Sequence, residues 1–131
     1  MRIYLDSSAL VKLVQREHGS DALRRYLRRH RSDDRVTSAL ARTEVVRAVL
    51  AGGAAAIAQA RSHLARTQQI RLGTAVLDSA ATLAPDNLRS LDAVHIASAL
   101  RVGAGLRALV TYDQRMAAAA TAVGLPVEAP A

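Results

Sequence analysis

Four acidic residues, Asp6, Glu44, Asp92 and Asp113, have spacings and surroundings that could do chemistry. Asp6 ends an apolar run, "RIYLDSSALVK", where Ile3-Tyr4-Leu5 reads as a buried strand. Asp113 stands just past a second such run, "ALVTYD". Asp92 opens the helical stretch "SLDAVHIASAL", which is apolar almost all round and so reads as buried. Glu44 lies mid-helix in "ARTEVVRAVL", beside an apolar face of Ala41, Val45, Ala48 and Val49. Taken singly, each has a plainer reading. Asp6 and Asp113 can cap the helices that follow them, and Asp92 suits a first turn. Glu44 can be a surface residue or a partner of Arg47. Taken together, they need a reason to share one place. Clustered carboxylates repel, and a hard divalent cation is their natural occupant. With oxygen ligands and no Cys in the chain, Mg2+ or Mn2+ fits best. Such ions polarise a phosphoryl group and activate water for in-line attack.

The elements that must position these acids alternate. Strands are expected at 2–5, 35–38, 69–72, 107–111 and 125–128, and helices near 8–17, 19–30, 39–51, 54–66, 74–84, 90–102 and 114–123. Breaks fall at Gly19, Gly52-Gly53, Gly73, Pro85, Gly103, Gly105 and Gly124. The alternation implies an α/β domain with a parallel sheet. In such sheets ligands bind beyond the carboxyl ends of the strands, where Asp6 and Asp113 would meet. The Ala-rich runs 54–60 and 117–120 read as close-packed helices. The remaining acids, Glu17, Asp21, Asp33, Asp34, Asp78, Asp86 and Glu128, read as surface or capping residues.

The length of 131 residues fits one domain, 1–131. No uncharged apolar stretch reaches 18 residues and no signal peptide is visible, so a cytoplasmic protein is expected. The net charge is +7, and 17 of the 18 basic residues are Arg, the side chain that forks onto phosphates. A basic surface around an acidic pit suits phosphodiester hydrolysis, although a solvated Arg-rich surface would look the same. The stretch "RRYLRRHR" offers Arg24, Arg25, Arg28 and Arg31 as RNA-phosphate contacts. Helical spacing would place Arg24, Arg28 and Arg31 on one stripe.

The segments "YLDSSALVKL", "RTEVVRA", "SLDAVHIASAL" and "LVTYDQRMAAAA" followed by "GLPV" resemble the PIN domain. The likeness runs through residues 2 to 128 and is nearest to the VapC toxins of bacterial toxin–antitoxin pairs. The resemblance implies a three-layer α/β/α sandwich with a parallel sheet of about five strands. It implies a ribonuclease that cuts single-stranded or loop RNA with Mg2+ or Mn2+, and it maps the family's acids onto Asp6, Glu44, Asp92 and Asp113. Ser8 and Thr111 would orient carboxylates or metal-bound water. It also implies a VapB-like antitoxin and a homodimer. Apolar residues on the first helix, Leu10, Val11, Leu13 and Val14, are candidates for the antitoxin contact. His95 reads as a packing residue rather than a ligand.

Two catalytic rivals are poor fits. A phosphoryl-transfer receiver wants a Lys after a late strand, and the only Lys is Lys12. A haloacid-dehalogenase-type phosphatase wants Asp where Ser8 stands. A non-catalytic RNA-binding or adaptor PIN-like domain is the alternative from another class. It would need the basic surface but not the four acids, and the chain is short of aromatics for base stacking.

Overall fold

The computed structural model describes all residues, Met1–Ala131. The strands are β1 (Arg2–Leu5), β2 (Asp34–Ser38), β3 (Gln68–Ile70), β4 (Leu106–Val110) and β5 (Val127–Glu128). The helices are α1 (Ser7–Val14), α2 (Ser20–Arg29), α3 (Ala41–Val49), α4 (Gly53–Ala65), α5 (Thr74–Ala81), α6 (Ser90–Leu100) and α7 (Gln114–Ala122). All strand pairs are parallel, in the order β3-β2-β1-β4-β5.

Side chains alternate across β1, and this alternation builds the layers. Ile3 and Leu5 join Leu10, Leu13, Leu23, Val45, Val49 and Leu64, from α1 to α4, in one core. Tyr4, between them in sequence, joins Ile96, Leu109, Met116 and Ala120 in the other, under α6 and α7. Helices therefore cover both faces, as a parallel sheet requires. With no Phe or Trp in the chain, Tyr4 heads the fully buried side chains.

The chain builds β2 and β3 on one side of β1, then crosses to build β4 and β5 on the other. The crevice between the carboxyl ends of β1 and β4 is therefore the topological switch point, the usual ligand position in an open α/β sheet.

Several expectations from sequence are corrected. The Ala-rich run in α4 packs on one side only: Ala60 is buried and Ala56 packs against the core, while Ala54, Ala55 and Ala58 face solvent. Leu91 is 50% exposed, so α6 is not buried all round. Asp33 is no surface residue. It is nearly buried in a bridge to Arg107, with the N-terminal amine 3.4 Å away. Leu10 and Leu13 point into the core, which leaves only Val11 and Val14 of the four half-exposed on α1. Helix α2 stops at Arg29 with His30 as its C-cap, so Arg31 lies in the following turn and off any helical stripe. Arg24 and Arg28 line one cavity beside Arg35 and Arg66, while Arg25 lines another beside Arg29 and Arg107.

Candidate active site

Asp6 follows β1 directly, and its carboxylate is buried. Its Oδ1 accepts from the Ala9 amide at 2.9 Å, which caps α1, and from Ser8 Oγ at 2.6 Å. Its Oδ2 accepts from Thr111 Oγ1 at 2.5 Å, just beyond β4. Ser8 and Thr111 in turn accept from the amides of Tyr112 and Asp113, each at 3.1 Å. Two hydroxyls thus stitch the ends of the central strands together around one carboxylate. Every donor to Asp6 is neutral. Burial pushes its pKa up, and the hydrogen bonds from Ser8, Thr111 and Ala9 only partly oppose this. The site therefore holds a buried carboxylate whose charge no neighbouring cation pairs.

Glu44 comes from α3, in its first turn rather than mid-helix, and it reaches the same edge. It does not pair with Arg47. Its Oε1 accepts from Ser7 Oγ at 2.6 Å and lies 2.6 Å from His95 Nε2. Burial raises its pKa, but the hydrogen bonds from His95 and Ser7 outweigh that, and the carboxyl sits below its ordinary range. His95 is buried on α6, and its Nδ1 lies 2.7 Å from the Tyr4 hydroxyl. Burial pushes the Tyr4 pKa far up, so the phenol keeps its proton. A bare Nε2 would face a carboxylate, so Nε2 carries a proton and donates to Glu44, while Nδ1 shares a hydrogen bond with the Tyr4 hydroxyl. His95 packs, as expected from sequence, and it also aims a donor at Glu44.

Asp92, in the first turn of α6, and Asp113, the N-cap of α7, share a guanidinium. Arg89 donates from Nε to Asp92 at 2.9 Å and from Nη2 to Asp113 at 2.7 Å. Asp113 also caps α7 through the amides of Arg115 and Met116. Capping and site formation are the same geometry here, as they are for Asp6.

Sequence reasoning missed Ser7, Arg89 and the second role of His95. Ser7 was legible only as the neighbour of Ser8. Arg89 stands three residues before Asp92, a spacing that signals a pair, but its link to Asp113 is tertiary.

No three of the carboxylates and imidazoles close into an ion cage by themselves. The donor set nevertheless fits a hard divalent cation. It is all oxygen, and Asp6 lacks a counter-charge. The Asp92–Asp113 pair already holds a cation in the form of Arg89. Asp6, Glu44, Asp92 and Asp113 are the residues that would hold such an ion.

A parallel sheet with carboxylates beyond the carboxyl ends of its central strands, at the topological switch point, defines a class of α/β proteins that bind their ligands there. The PIN domain model matches residues 3–122, and the chain belongs to that family. Its curated relatives are VapC proteins of Mycobacterium tuberculosis. The chain is 54% identical to Ribonuclease VapC46 of strain H37Rv over 98% of its own length and 97% of the relative's. It is 43% identical to Ribonuclease VapC35 and 37% identical to Ribonuclease VapC47, each over 98% of this chain and 96% of the relative. The likeness is to VapC-type PIN toxins over nearly the full chain. No helix is long and apolar enough to cross a membrane.

Proposed function

We propose that this protein is a VapC-type toxin ribonuclease that hydrolyses phosphodiester bonds of single-stranded or loop RNA with Mg2+ or Mn2+. The observation that carries the reading is Asp6, a buried carboxylate with three neutral donors and no cation at the switch point of a PIN fold. The curated relatives, all named ribonucleases, support the same reading. The bound metal would supply an activated water and neutralise charge on the phosphoryl group. The chain's own residues prepare its place. Ser8, Thr111 and the Ala9 amide fix Asp6 in one rotamer. Ser7 and His95 do the same for Glu44. Arg89 bridges Asp92 and Asp113 and so offsets the repulsion between them, and its guanidinium is a group that would pair with a phosphate at this edge.

A self-sufficient nuclease of this kind needs a neutralising partner. A small VapB-like antitoxin is proposed, reaching the pit with a basic side chain onto the carboxylates that Arg89 now holds. A homodimer and a cytoplasmic setting belong to the same reading. The reading as a non-catalytic RNA-binding domain is disfavoured by the aromatic rings. Tyr4 is buried, Tyr26 is edged against His30, and Tyr112 lies under Lys12. The chain thus has three Tyr and no Phe or Trp, one Tyr is fully buried, and the other two already make ring contacts, which leaves little for a base-stacking platform.

The test is a map of cleavage sites in total RNA after brief induction. Discrete new 5′ ends should appear for the wild type and disappear for Asp6→Asn. Identical maps for the two proteins would sink the reading.

A further inference from the structure

Beside the acids lies a cavity of about 410 Å3, between the loop that leads into α6 and the outer side of α7. It begins where the carboxylates end, since Arg89 and Asp92 line it. Its floor is apolar, made by Leu88 and the alanines of α7, of which Ala118 and Ala122 are exposed. Its rim is polar. Asn87 offers an amide, and Arg115 an exposed guanidinium that takes part in no ion pair. The volume lies within the usual range for small-ligand sites, roughly 300–1,000 Å3.

We infer that this cavity is a nucleobase subsite, which seats the base of a nucleotide next to the scissile phosphate and sets base preference. The inference rests on the ribonuclease reading and says where the RNA lies on the site. Three features favour a base over any other occupant. An apolar floor with a polar rim matches a flat ring whose edges carry donors and acceptors. Arg89 lines the end nearest the carboxylates, where the scissile phosphate would pass. Unstacked RNA bases rest on aromatic rings or on Arg planes, and no aromatic ring lines this cavity. Arg115 is the lining guanidinium that no carboxylate holds. The Asn87 amide can both donate and accept, so it can read a base edge.

The experiment fills the cavity from exposed positions, where the fold tolerates it. Ala118→Leu and Ala122→Leu keep good helix formers on α7. Ala58→Leu, on the exposed face of α4, is the control. The probes are four labelled single-stranded RNA hexamers that differ at one base. Binding is measured on protein carrying Asp6→Asn, and cleavage on the active chain with Mn2+. The filled variants should bind at least roughly tenfold more weakly and lose discrimination among the four hexamers. The control should match its parent in both. Unchanged affinity and unchanged base ranking in a folded Ala118→Leu protein would overturn the inference. Should neither filled variant fold, Asn87→Ala at the exposed rim carries the same test, with an altered base ranking expected and an unaltered one overturning the subsite. The two readings fail separately. Cleavage that ignores the filled cavity removes the subsite and leaves the nuclease. Cavity-dependent hexamer binding without cleavage by the wild type leaves the subsite and removes the nuclease.

Discussion

Asp6 is a helix cap and a site carboxylate at once, and substitution separates the two roles. Asn keeps an oxygen for the Ala9 amide and Ser8, so the cap should survive Asp6→Asn. The charge should not be missed in metal-free protein. Burial raises the Asp6 pKa in the folded state, so the folded chain binds a proton more readily than the unfolded one. Stability from this group therefore falls as pH rises from the unfolded value, about 3.9, through the raised native one. In EDTA at neutral pH, Asp6→Asn should melt at or above wild type, and this fall with pH should be gone. With metal the order reverses. The wild type gains about 1.4 kcal/mol at ten times Kd, a few degrees in Tm, while the variant gains little. A variant that melts far below wild type in EDTA would mean that the charge is structural. His95 makes a second case. His95→Ala leaves the buried Tyr4 hydroxyl without its partner, at a cost of about 1–3 kcal/mol in chemical denaturation. It also removes a donor from Glu44, whose carboxyl should then titrate higher by NMR. Glu44 now contributes stability above its unfolded pKa that is lost as pH falls through its depressed native pKa. His95→Ala should flatten that acid-side loss, and an unmoved Glu44 titration would deny His95 its positioning role.

At the scale of elements, what was legible in sequence was what local chemistry encodes. An apolar run stopped by Asp, or by Thr-Tyr-Asp, marked β1 and β4 and placed their acids at one edge. β5 came out shorter than expected because Pro126 has no N–H to donate and joins β4 only through its carbonyl, which accepts from the Leu109 amide, so the strand is Val127–Glu128. What depends on which layer a helix joins was not legible. Ala54, Ala55 and Ala58 belong to a run that reads as packed yet face solvent, because α4 is an outer helix with only Ala60 and Leu64 buried. The link from Arg89 to Asp113 was invisible for a related reason, since it joins loop to N-cap across 24 residues. The first helix shows the same limit with a consequence. Leu10 is fully buried against the sheet, so Leu10→Ala should cost about 2–5 kcal/mol by urea denaturation. If it instead weakened antitoxin binding at unchanged stability, α1 would be an interface helix after all.

For the whole molecule, charge is divided between two edges of the sheet. The acids stand at the carboxyl ends of the strands. The arginine-rich end of α2 stands at the amino ends, beside Asp33, Asp34 and Arg35 at the start of β2 and Arg107 in β4. A five-residue strand separates these edges by roughly 15 Å. The α2 arginines are thus not part of the pit, and any RNA they hold must extend past the cleavage site along the flank of the domain. Arg25 and Arg28 test this best. They point into different cavities, and neither is in an ion pair, so substitution removes charge without freeing an acid. If both neutralise phosphates, Arg25→Gln with Arg28→Gln should reduce the slope of log Kobs against log salt by about 1.4 for single-stranded RNA, or 0.7 for each contact. Base preference should not move, because phosphate contacts carry no sequence information. Both variants should retain wild-type cleavage at saturating substrate, since neither residue approaches the carboxylates. A long RNA should feel the change more than a hexamer that fits within the pit. An unaltered slope with long RNA would make this face a solvated surface and confine the substrate to the acidic edge.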